Sequence, residues 1–72
     1  MFLLELSRGT ETRSFLVKNV ELKGWELSEV ENRHPVRRVH YRDWHRVERA
    51  IAWIRYQADL MQEEGWEACV NQ

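Results

Sequence analysis

The sequence predicts an α+β domain in which an antiparallel four-stranded meander packs against one long C-terminal amphipathic helix, with room for a short final strand. Three observations carry this. From Asp43 to Glu64 the apolar residues Trp44, Val47, Ile51, Ile54, Ala58 and Met61 recur at spacings of three and four, which places all six on one helical stripe. Before Asp43 the apolar residues come instead in short alternating runs separated by Gly, Pro, Asn and Ser, as strands and turns do. The 72 residues also allow one domain, residues 1–72, with a single core. A chain of this length buries only about 60% of the surface its unfolded form exposes.

Phe2, Leu4 and Leu6 alternate with Leu3 and Glu5, giving a first strand with one buried face. Residues 7–12, SRGTET, read as a turn. Between Arg13 and Leu22 apolar residues occur on both parities, so this second strand is either buried on both faces or bulged near Asn19. Lys23-Gly24 can close a tight hairpin, with Trp25–Glu31 returning as the third strand and directing Trp25 and Leu27 at the helix. Asn32-Arg33-His34-Pro35 is the next break, and Val36–Tyr41 the fourth strand, at an edge with one wet side. Asp43 is suited to cap the helix and Gly65 to end it, leaving Trp66–Val70 for a last strand. A competing reading starts from the repeated Gly-Trp-Glu at 24–26 and 65–67: a short helix from Ser14 to Gly24 would make two helix-glycine-strand units.

The single cysteine, Cys69, allows no internal disulfide, which points to a reducing, cytoplasmic setting. The first apolar run, Met1–Leu4, is too short for a secretion signal or a membrane span. The net charge of −1 conceals a segregation: residues 1–32 carry −2, residues 33–55 carry +5 from seven arginines, and residues 56–72 carry −4.

Two candidate surfaces follow. On the helix, at about 100° per residue, Trp53, Tyr56 and Leu60 fall nearly opposite the core stripe, beside Arg46 and Arg49. These residue types dominate protein interfaces, and Arg49 is spaced to lie on the Trp53 indole. This face is expected to bind another protein or a second copy of the chain. The alternative surface is the arginine-rich fourth strand, where Arg33, Arg37, Arg38 and Arg42 could hold phosphates while Tyr41 stacks on a base. Against it stands internal pairing of these arginines with Glu21, Glu26, Glu29 and Glu31.

Four strands followed by a long helix ending in Gly-Trp resembles, in order and length, the WGR domain, a small module associated with DNA-binding enzymes. The Trp-Gly-Arg signature is missing, Gly24-Trp25-Glu26 being its nearest counterpart, and no functional residue is carried over. His34, His40 and His45 show no metal-ligand spacing, and neither Cys69 nor Ser7, Ser14 or Ser28 has an activating partner in the sequence. The expectation is therefore a non-enzymatic module with no catalytic residue, metal, cofactor or membrane partner. Such chains serve as regulators, inhibitors or adaptors, including those carried by mobile elements.

Overall fold

The computed structural model describes residues 2–69. Four strands, β1 (Phe2–Arg8), β2 (Glu11–Val20), β3 (Gly24–Glu31) and β4 (His34–Tyr41), precede the helix α1 (Trp44–Glu63), and β5 (Glu67–Cys69) follows it. They form one antiparallel sheet in the order β4-β3-β2-β1-β5, with the helix on one face. The last strand adds to β1, at the edge opposite β4; Val70, expected within it, lies outside the described residues.

Alternation along the strands becomes two faces. Leu6, Phe15, Val17 and Leu27 project toward the helix, which contributes Val47, Ile54, Ala58 and Met61 to the same buried core. Burying a side chain of the larger kinds among these is worth about 2 kcal/mol. Of the six-residue stripe read from the sequence, Ile51 is only half-buried and Trp44 is exposed at the rim, where its ring lies 5.4 Å from that of Trp25. Leu16, Val20 and Val30 are half-buried on the opposite, uncovered face, among Ser14, Glu26 and Ser28. The second strand is thus apolar on both sides without being bulged.

The turns are tighter than the composition suggests. Gly9-Thr10 alone connects β1 to β2, because Ser7 pairs with Thr12 and Arg8 with Glu11; the polarity of SRGTET reflects the wet face of a hairpin, not a loop. Asn32 and Arg33, with φ of 50° and 69°, make the two-residue turn into β4. His34 and Pro35 belong to the strand. Of the two alternatives for the second strand, the bulge near Asn19 is absent; a register shift occurs between Glu29 and Val30 of β3, where Arg37 pairs with Glu29 and Pro35 with Val30, leaving Val36 over. Proline cannot donate to the ladder, so the edge strand shifts there.

Gly24 does not close its hairpin. The turn is Glu21–Lys23, held by the Lys23 N–H donating to the Val20 carbonyl at 2.9 Å, and Gly24 opens β3 with φ of 93°. Residues 14–20 are extended, which removes the short helix of the duplication reading.

Asp43 caps α1 as its position suggests, its Oδ1 accepting from the Arg46 N–H at 3.0 Å. At the other end the Gly65 N–H donates to Gln62 O and the Trp66 N–H to Met61 O, with Gly65 at φ of 97°. This is a Schellman ending, and it sends the chain back into β5. The helix therefore begins beside β4 and finishes beside β5, crossing the sheet from one edge to the other.

Candidate functional site

Where α1 leaves the β4 edge, the helix and the strand border a wide, open cleft of about 620 Å³. Strand alternation puts Arg37 and Tyr41 of β4 on the helix side of the sheet. The helical period puts Arg46, Arg49 and Trp53 on the flank of α1 that overhangs them, and Ala50 and the buried Leu27 form the floor. Ala50 matters because it is small: a larger side chain one turn from Arg46 and Trp53 would fill the space.

Trp53 is held from two sides. Its ring meets Phe15 edge to face at 6.5 Å, and the Arg37 guanidinium lies over it at 5.3 Å from the centroid. The stack anticipated from Arg49 is thus made by Arg37, which arrives from β4. Trp53 as a residue remains 40% exposed and lines the cleft.

Of the two surfaces read from the sequence, parts of each meet here. Arg46, Arg49 and Trp53 from the helical group line the cleft with Arg37 and Tyr41 from the strand group. Tyr56 and Leu60 do not line it; they are exposed farther along the helix. Arg38 projects from the uncovered face, where it and His40 pair with Glu26 at 3.6 and 3.0 Å. Arg33 sits in the β3–β4 turn, and Arg42 borders a separate hollow with Leu22, Lys23, Gly24 and His40. The five residues proposed to contact nucleic acid are therefore split between faces. Leu27 and Ala50 were not anticipated as site residues, since a floor has no signature until the strand and helix are brought together.

The charge of the cleft is not cancelled from within. Glu29 stands directly opposite Arg37 in the ladder, yet its buried carboxylate pairs with Arg13 of β2 instead. Among the described residues, Arg37 and Arg49 make no ion pair, and Arg46 has only the exposed contact to Asp43 at 3.4 Å. Glu26 is the one member of the acidic set Glu21, Glu26, Glu29 and Glu31 that pairs with β4 among those residues. The acidic stretch that follows, with Asp59, Glu63, Glu64 and Glu67, runs toward the β5 edge, across the sheet from the cleft. Three arginines lining a cleft with Leu27 and Ala50 are suited to a partner that brings carboxylates or phosphates together with apolar surface.

Among the described residues no three His, Cys, Asp or Glu side chains converge as metal ligands, and no helix is long and apolar enough to cross a membrane. No protein-family model, curated protein or solved structure matches the chain, so the likeness to the WGR domain rests on element order and length alone.

Proposed function

We propose that this chain is a small non-enzymatic module that binds an acidic segment of another protein in the cleft between β4 and α1, acting as a regulator, inhibitor or adaptor. The observation that carries the reading is the convergence of Arg37, Arg46 and Arg49, drawn from two elements, on one cleft with an apolar floor. Arginine and tryptophan are the side chains most often responsible for binding energy at protein interfaces. The cleft residues favour a foreign partner over a twin, because a two-fold pairing of this surface would set arginine against arginine.

A protein segment suits the cleft better than nucleic acid. The exposed arginines do not form one track along a single face: Arg37 lies on the helix side of the sheet and Arg38 on the uncovered side. The two classes separate by titration of a fluorescein-labelled peptide alternating glutamate and valine and of a labelled oligonucleotide at low and moderate salt. Arg37→Glu and Arg49→Glu are expected to lower peptide affinity at least about tenfold each, whereas Arg38→Glu, on the other face, leaves it unchanged. Tighter binding of the oligonucleotide, lost equally in Arg37→Glu and Arg38→Glu and falling steeply with salt, would replace this reading with a nucleic-acid one.

A further inference from the structure

We infer that the acidic segment binds as an added strand, continuing the sheet at the outer edge of β4. This rests on the reading of the cleft above and concerns how the partner is held. β4 has a neighbour on one side only, so alternate backbone N–H and C=O groups along its eight residues face outward. On the opposite side the outermost strand is β5, three residues long and paired with Glu5–Ser7 of β1, which offers a shorter edge than β4. At β4 the edge lies directly alongside the cleft, so a strand laid against it would present every second side chain to Arg37, Arg46 and Arg49 beneath the helix.

The charges on the edge choose what can pair there. A copy of β4 brought alongside would place Arg37 and Arg38 near their own counterparts, which disfavours edge-to-edge self-association. A strand with carboxylates at alternate positions meets the opposite situation. Pro35 and the register shift that leaves Val36 over spoil the start of β4 as a template, so the usable edge runs from Arg37 to Tyr41, beside the arginines of the cleft. Main-chain hydrogen bonds then give affinity and the arginines give the preference for acid, the division of labour in strand addition.

The test uses the whole chain and a peptide of about ten residues alternating glutamate and valine, together with two versions N-methylated at the odd or at the even amides. In an added strand one set of amides points at β4 and the other at solvent. One methylated peptide is therefore expected to lose at least about tenfold in affinity while the other binds as the parent does. If both methylated peptides bind as the parent does, strand addition is overturned and the cleft reading stands. No binding of the parent peptide removes both. A dimer in sedimentation that the peptide dissociates would assign the edge to a second copy and overturn the foreign-strand inference.

Discussion

At the residue scale the same side chains that build the core also set the charge of the cleft. Glu29 is buried beneath the helix and takes Arg13 as its partner, so Arg37, opposite it in the ladder, is left to cover Trp53. Removing Arg13 would strand a buried carboxylate beside the cleft, whereas Arg13 itself is about one-third exposed and tolerates loss of its partner better. Gly24 is the position where the backbone leaves least choice. A Cβ there would stand 2.3 Å from the Tyr41 carbonyl oxygen, and φ is 93°. At Gly9, with φ of 60°, a Cβ would meet nothing within 4 Å. Gly24→Ala is accordingly expected to cost about 3 kcal/mol and Gly9→Ala about 1 kcal/mol. Thermal denaturation checks this, since each kcal/mol lowers Tm by about 4–8 °C in a domain of this size. Equal losses would mean that backbone conformation alone, and not the approach to Tyr41, fixes Gly24. Its need for a positive φ was legible in the sequence; the carbonyl that enforces glycine was not, because it belongs to a residue seventeen positions away.

At the scale of the elements, α1, apart from its Asp43 cap, carries the charges of its end turns against its own dipole. Its first turn holds Arg46 and no acid, and its last turn holds Glu63 and no base. The reverse arrangement is the stabilising one, each charge being worth about 0.3–1 kcal/mol. Such an arrangement is expected where a binding surface, rather than stability, decides the residues. Arg46→Glu would put an acid three residues after the Asp43 cap, completing a capping box. It is expected to stabilise the chain by about 1 kcal/mol while lowering affinity for an acidic peptide at least about tenfold; urea denaturation and anisotropy titration read the two effects. Loss of stability together with affinity would instead make Arg46 a structural residue. The helix and its caps were legible because period and capping chemistry are local. Strand boundaries were less so: Ser7, Thr12, His34 and Pro35 have the composition of loops, but ladder pairing places them in strands.

For the whole molecule, sequence distance misleads about the site. The helical group and the strand group read as rival surfaces, one for protein and one for nucleic acid, because nothing local shows which flank of α1 turns toward β4 or which face of β4 it meets. Folding takes Arg37 and Tyr41 from one and Arg46, Arg49 and Trp53 from the other into a single cleft, and sends Arg38 to the far side. It also fixes the segregated charge in space, since the acidic end of the chain runs to the β5 edge. The most direct measurement is an amide chemical-shift map of the protein titrated with the alternating glutamate–valine peptide. Perturbations are expected in β4 from Arg37 to Tyr41 and in α1 from Arg46 to Trp53. Perturbations confined to Tyr56 and Leu60, or to Leu16, Ser28 and Val30 on the uncovered face, would contradict a binding site between the edge strand and the helix.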